Sequence, residues 1–184
     1  MNIVETPIKD LFVFEPKIWK DSRGYFYESF SQRAFDQAGI DVNFLQDNQS
    51  FSQKGTLRGM HAQANPFAQG KLVRVIQGKV VDVAVDIRKG SATYGQHFAI
   101  ELSGDNHKQL WVPPGFLHGF LTLEDNTIFT YKVTNYYDKD SEVGVMWNDP
   151  TLNIDWASYL DPSEFLLSDK DLVLSNFDSL QSPF

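Results

Sequence analysis

The sequence predicts an all-β chain of jelly-roll or sandwich type with a few short helices. Three observations predict it. From Asn43 onward, short runs rich in Val, Ile, Phe and Tyr alternate with Gly, Pro, Asn and Asp, the pattern of many short strands separated by turns. Only one early segment, Ser31 to Ala38, carries the flanking signals of a helix. Of the 184 residues, 42% are apolar, which is enough to fill the core of one domain spanning residues 1–184.

The elements follow in order. Leu11 to Pro16 reads as a short strand, and Asp21-Ser22-Arg23-Gly24 as a turn. The helix has Ser31 as N-cap and Gly39 as its stop. Lys71 to Gln77 and Lys79 to Ile87 flank Gly78 as in a tight connection. Further strands are expected at His97 to Leu102, Gln109 to Val112, Phe116 to Leu123 and Ile128 to Tyr137. After Trp147, Asn148-Asp149-Pro150 and Asp161-Pro162 break the chain and short helical turns follow. Residues 172–184 read as a peripheral closing flap with a frayed tail.

Composition excludes several function classes. There is no cysteine, hence no disulfide and no thiolate metal site, which fits a cytoplasmic protein. No apolar run approaches the ~18 residues of a membrane span, and the N-terminal residues lack the pattern of a signal peptide. A net charge of −8 argues against a general nucleic-acid surface but leaves room for a local cationic pocket.

The chemistry-bearing residues cluster in two stretches. In Leu57-Arg58-Gly59-Met60-His61-Ala62-Gln63, a histidine stands three residues after an arginine and ten before Lys71. Burying that much positive charge for structure alone is costly, and an anionic ligand explains it. Strict alternation puts Arg58 and His61 on opposite strand faces, so the chain must bulge if both reach one pocket, and Gly59 is the natural place. Lys71 is in phase with Val73 and Val75, an inward lysine suited to an enolate or alkoxide oxygen. His118, in phase with Phe116 and Phe120, serves either as a ligand contact or as a core histidine bonded to a backbone carbonyl. Tyr131 shares a face with Phe129 and Val133 and is either packing or a proton donor. Asp82 and Asp86 lie in a valine-rich run, paired to Arg or His or turned outward at an edge. A salt bridge to Arg74 or Arg88 is an equal reading. Gln46-Asp47-Asn48-Gln49-Ser50 offers amides for hydrogen bonding to a ligand.

The spacing Pro113-x-Gly115-x-x-His118 resembles the second motif of cupin barrels. A metal-binding cupin starts its first motif with His-x-His, and here Gln63 replaces the second histidine. That weakens a metal-dependent oxygenase or isomerase and favours acid–base chemistry with no metal. Taken together, Asp21-Ser22-Arg23-Gly24-Tyr25-Phe26-Tyr27-Glu28, Gln46-Asp47-Asn48, Leu57-Arg58-Gly59-Met60-His61, Gln69-Gly70-Lys71-Leu72-Val73-Arg74, Val83-Ala84-Val85-Asp86-Ile87-Arg88, Pro114-Gly115-Phe116-Leu117-His118-Gly119-Phe120, Tyr131-Lys132, Tyr136-Tyr137 and Trp147-Asn148-Asp149-Pro150 resemble, in order, the dTDP-4-dehydrorhamnose 3,5-epimerase family.

The resemblance implies a cupin jelly roll that dimerises, uses no cofactor and inverts C3 and C5 of a dTDP-4-keto-6-deoxyhexose in L-rhamnose biosynthesis. By the same resemblance His61 is the base, Asp171 the carboxylate that orients it, with Asp82 as rival. Tyr131 is the opposite-face acid and Lys71 the enolate partner. Arg23, Glu28, Gln46, Asp47, Asn48, Arg58, His118, Glu142 and Lys170 form the ligand-binding set, and Tyr137 stacks on the nucleotide base. Ala62 departs from the family's Tyr and enlarges the space beside His61. The alternatives are a relative that epimerises one carbon of a related nucleotide sugar, and a non-catalytic sugar-nucleotide-binding cupin.

Overall fold

The computed structural model describes residues 1–184 as two antiparallel sheets packed face to face, the jelly-roll sandwich expected from the sequence. The strands in chain order are β1 (Asn2–Glu5), β2 (Phe12–Glu15), β3 (Trp19–Asp21), β4 (Gly24–Phe26), β5 (Gln46–Ser52), β6 (Leu57–Gln63) and β7 (Lys71–Gln77). They continue as β8 (Lys79–Asp86), β9 (His97–Ser103), β10 (Gln109–Val112), β11 (Phe116–Thr122), β12 (Thr127–Val133) and β13 (Glu142–Gly144). The larger sheet has the order β1-β2-β10-β7-β12-β5, the smaller β13-β6-β11-β8-β9, and β3 and β4 form a separate hairpin.

Alternation along the strands explains the layers. Val13, Val73, Val75, Leu110, Val112 and Phe129 of the larger sheet meet Val80, Ala84, Leu102, Phe116 and Phe120 of the smaller in one buried cluster. The other parity of β8, Val81, Val83 and Val85, is buried just as fully on the outer face of the smaller sheet, against Leu152, Trp156 and Phe177. A strand covered on both faces explains why its sequence is nearly continuous in valine. The outer face of the larger sheet is covered by α1 (Gln32–Gln37), whose Phe35 stacks on Phe14 at 4.6 Å and meets Trp111 edge-on at 5.5 Å. Ser31 stands at the N-cap in extended conformation but its hydroxyl makes no capping bond, while Gly39, at φ +71°, turns the chain out of the helix.

The tight connection at Gly78 is present, and it passes from β7 in the larger sheet to β8 in the smaller. Gly78, at φ +80°, is a corner between sheets, with Thr127 Oγ1 only 2.2 Å from where a Cβ would stand. The strand after Asn126 ends at Val133, not Tyr137, because Thr134 and Asn135 turn inward: Thr134 Oγ1 accepts from the Gly70 amide at 2.8 Å and Asn135 Nδ2 donates to Pro66 O at 3.0 Å. The last segment is not frayed. Phe177 and Ser182 are buried, Phe184 O accepts from the Lys89 amide at 3.0 Å, and Leu180 and Phe184 pack on the outer cluster. No helix is long and apolar enough to cross a membrane.

Candidate active site

The site begins with an irregularity in β6. His61 is paired with His118 and Arg58 with Phe120, so three steps on β6 match two on β11. The extra residue is a bulge at Gly59 and Met60, where the sequence placed it. Gly59 has φ +122°, and a Cβ there would stand 2.6 Å from the Gly119 Cα, so only glycine fits. The bulge restores parity. Arg58 and His61 both face the space between the sheets, while Leu57, Met60 and Ala62 join the outer apolar cluster.

His61 Nε2 lies 2.6 Å from Asp171 Oδ1, a close contact bent away from a straight hydrogen bond. Asp171 opens a short 3-10 turn, Asp171–Val173, that places it against β6. The turn is set by Ser168, whose hydroxyl donates to Asp171 Oδ2 at 2.8 Å and whose carbonyl accepts from the Asp171 amide at 3.0 Å. Burial pushes the Asp171 carboxyl up, but the His61 and Ser168 contacts and the charge of Lys170 outweigh it, and the net is below the usual carboxylate range. Glu142 Oε1 lies 3.8 Å from His61 Nδ1. It also takes the Lys170 ammonium, and Tyr137 OH donates to its other oxygen at 2.9 Å. Burial raises Glu142; these partners bring it down below its ordinary value.

Two connected lobes, about 400 and 260 Å3, share His61, Lys71, Tyr131 and Lys170. The first adds Gln46, Asn48, Gln69, Tyr137 and Glu142; the second adds Arg58, His118, Phe129 and Asp171. Lys71 on β7 and Tyr131 on β12 come from the larger sheet and look across at His61 on the smaller. Burial pushes Lys71 down to about 8, against the opposing pull of Asp82 and then Glu142. Burial raises the Tyr131 phenol, with Arg58 pulling the other way. His118 is bonded to Asp82, not to a backbone carbonyl: its Nε2 donates to both carboxylate oxygens at 3.0 and 2.9 Å, with Asp82 fully buried. A carboxylate only accepts, so the proton sits on Nε2.

Not every expected residue converges. Arg23 is 88% exposed and held by Asp21 at 2.6 Å, and Glu28 is exposed on the same arm; neither lines the lobes of its own chain. Asp47 has the opposite parity to Gln46 and Asn48, and is tied to Lys132 at 2.9 Å on the outer sheet face. Arg74 donates to Tyr27 OH at 2.9 Å instead of pairing with Asp82 or Asp86, while Asp86 does hold Arg88 at 2.8 Å. Gln63 is fully engaged: its Nε2 donates to Phe67 O at 2.6 Å and Tyr136 O at 3.1 Å, and its Oε1 accepts from the Asp138 amide at 3.0 Å. It clamps the loops at the pocket mouth. Ser168 was not singled out from sequence, though a serine three residues before Asp171 is the spacing of a side chain that caps its own turn.

The arrangement pairs a histidine with a buried carboxylate on one side of a pocket and sets an ammonium and a phenol on the other. It can remove a proton from a carbon acid and return one from the far face. Comparison with known proteins points the same way. The family model for dTDP-4-dehydrorhamnose 3,5-epimerase matches residues 5–179. The dTDP-4-dehydrorhamnose 3,5-epimerase of Shigella flexneri is 51% identical over 173 residues, 94% of this chain and 93% of that protein. The crystal structure of the enzyme of that name from Elizabethkingia anophelis NUHP1 superposes with a TM-score of 0.94 at 43% identity, covering 99% of this chain and 98% of that one. A dTDP-6-deoxy-D-glucose-3,5-epimerase from Legionella pneumophila Philadelphia 1, in complex with dTDP-4-keto-L-rhamnose, gives 0.92 at 46% identity, covering 98% and 94%. With sandwich, pocket and near-complete alignment in agreement, the chain belongs to the dTDP-4-dehydrorhamnose 3,5-epimerase family.

Proposed function

We propose that this protein inverts C3 and C5 of dTDP-4-dehydro-6-deoxyglucose to form dTDP-4-dehydrorhamnose, by proton transfer through an enolate. The observation that carries the mechanism is that His61 and Tyr131 face one pocket from opposite sheets, with Lys71 on the Tyr131 side. The 4-keto group acidifies the C–H bonds of both neighbouring carbons. With its Nε2 proton turned to Asp171, His61 offers Nδ1 as the base. The C–H electron pair moves into the ring and the charge onto the keto oxygen, where the Lys71 ammonium meets it away from bulk water. Tyr131, whose raised phenol keeps its proton in the resting site, returns one to the carbon from the other face. The enolate needs no electron sink beyond its own carbonyl, so the scheme uses neither metal nor cofactor. Dialysis against a strong chelator is expected to leave turnover unchanged.

Gln46, Asn48, Arg58, His118, Glu142 and Lys170 bind the nucleotide sugar in this scheme, and exposed Tyr137 at the mouth stacks on the base. The working form is a homodimer. Trp19, Tyr25 and Phe26 stand 46, 56 and 68% exposed on the β3–β4 arm, aromatic area that a second copy would cover. Arg23 at the tip, and Glu28 just beyond, would then serve the neighbouring copy's pocket; light scattering tests the dimer. Proton NMR of the 4-keto sugar nucleotide in deuterated water tests the activity. Loss of both the C3 and C5 proton signals is expected; loss of one identifies a mono-epimerase, and loss of neither a binding protein. Tyr131→Phe is expected to slow inversion much more than deuterium exchange, because return to the original face survives. Equal slowing removes Tyr131 as the opposite-face acid.

A further inference from the structure

The acid–base scheme leaves a fully buried carboxylate beside the pocket, Asp82, without a task. Asp82 points from β8 into the space between the sheets, on the parity of Val80 and Ala84, among Phe116, Phe120 and Phe129. Its valine-rich strand is complete without a charge, and a carboxylate there is costly unless its partners need it. Two of the pocket's groups answer to it. His118 on the adjacent strand gives Nε2–H to both its oxygens, and Lys71 feels it more strongly than any other carboxylate.

Resting on the epimerase function above, we propose that Asp82 is a positioning residue for the reaction, which fixes His118 with Nδ1 left unbonded and keeps Lys71 charged where the enolate oxygen forms. Asp82 acts from behind the pocket wall: His118 and Lys71 line the second lobe and Asp82 does not. The charged and titratable groups around Lys71 divide clearly. Arg58, His61, Lys170 and Asp171 share its second lobe, with His118 and Tyr131, while Glu142 faces it from β13 across the first. Arg58 and Lys170 oppose a third cation. Glu142 is already engaged by Lys170 and Tyr137, and Asp171 by His61 and Ser168. Asp82 is the anion that remains for Lys71, shared only with a histidine. Without it burial dominates, the amine loses its proton at lower pH, and the enolate loses its counter-charge.

The test is Asp82→Asn, which keeps the shape and can still accept from His118. Lysine labelled with 13C at Cε reads the Lys71 titration directly, and the exchange assay reads kcat against pH. The Lys71 midpoint is expected to fall by about 1 pH unit in the variant, with the alkaline limb of kcat moving down in step. KM is expected to change less than kcat, because the lost term acts on the enolate and not on the bound ground state. An unmoved midpoint overturns the proposal whether or not the protein is an epimerase. A lowered midpoint with an unmoved kcat profile overturns it for the reaction. Absence of exchange in the unaltered protein refutes the epimerase function instead, and the midpoint still decides the charge on Lys71. If the variant does not fold, 15N shifts of His118 in the unaltered protein decide, since a proton on Nδ1 and none on Nε2 is incompatible with the arrangement.

Discussion

The molecule contains two histidine–aspartate pairs, their histidines on adjacent strands, and they differ in nearly everything but composition. The His61 side chain is 24% exposed, and its carboxylate arrives from a turn far along the chain through one short, bent contact. The His118 side chain is 8% exposed, and its carboxylate lies on the next strand, fully buried, engaged through both oxygens. The first pair leaves the ring's other nitrogen facing a cavity, and its carboxylate is shared with the Ser168 hydroxyl. The second is locked. A histidine's chemistry is therefore set less by having a carboxylate than by whether the ring's other edge meets a ligand and whether the carboxylate is held by anything else.

The largest effect is expected at His61. His61→Asn should cut deuterium exchange at both carbons by ~10²–10⁴-fold, the usual cost of losing a general base, with an unchanged melting temperature. Near wild-type exchange would remove His61 from the chemistry. At His118 the order of effects reverses. His118→Ala leaves the Asp82 charge buried without its donor, so a loss of stability on the order of 3 kcal/mol is expected in denaturant titration. A variant as stable as the parent would show that the pair is not locked.

Asp86 calibrates the structural extreme. Its carboxylate, fully buried, accepts from Arg88, Ser91 and Thr93. Burial pushes it up, but these bonds win and hold it at about 2, well below the usual carboxylate range. A group with a depressed folded value stabilises above its unfolded value and loses that contribution as pH falls through the folded one. Roughly 2 kcal/mol should therefore vanish between about pH 4 and pH 2, and Asp86→Asn should remove this acid dependence. The smallest effect is expected at Ser168. Removing its hydroxyl loosens Asp171 but leaves the His61 contact, so Ser168→Ala should lower kcat roughly fivefold, about 1 kcal/mol, without altering KM. A loss as large as that of His61→Asn would mean the turn, not the dyad, is the weak point.

Much of this was legible in the sequence where constraint is local. The three-residue spacing of Arg58 and His61 demanded a bulge, and Gly59 between them said where. The phase of Lys71 with Val73 and Val75 gave its inward direction. Asp171 was reached only through family resemblance, because nothing near it announces contact with a strand more than a hundred residues earlier. The pairing of His118 with Asp82 stayed open for a related reason. β8 and β11 become neighbours through sheet order, which spacing within either strand does not encode. Gly78 marks a tight connection but not whether it joins strands of one sheet or of two, because a glycine corner between sheets carries the same local signal as a tight turn. The docking of the tail is not legible in the sequence because its apolar residues, Phe177, Leu180 and Phe184, are sparse among serines and show neither strand nor long-helix periodicity.

The bulge at Gly59 and Met60 has a consequence for transplantation and repair. A strand with one surplus residue is read in two frames, even before the surplus and odd after it. The site straddles the frame change, with Arg58 on one side and His61 on the other. Forcing the same residues into regular pairing with β11, none removed, would not simply straighten the strand. It would invert the facing of every residue on one side, exchanging the pocket for the apolar layer outside it. Copying the same side chains onto a regular strand of another sandwich would deliver the histidine or the arginine, never both. The heritable unit of this half of the active site is the frameshift together with the glycine that permits it.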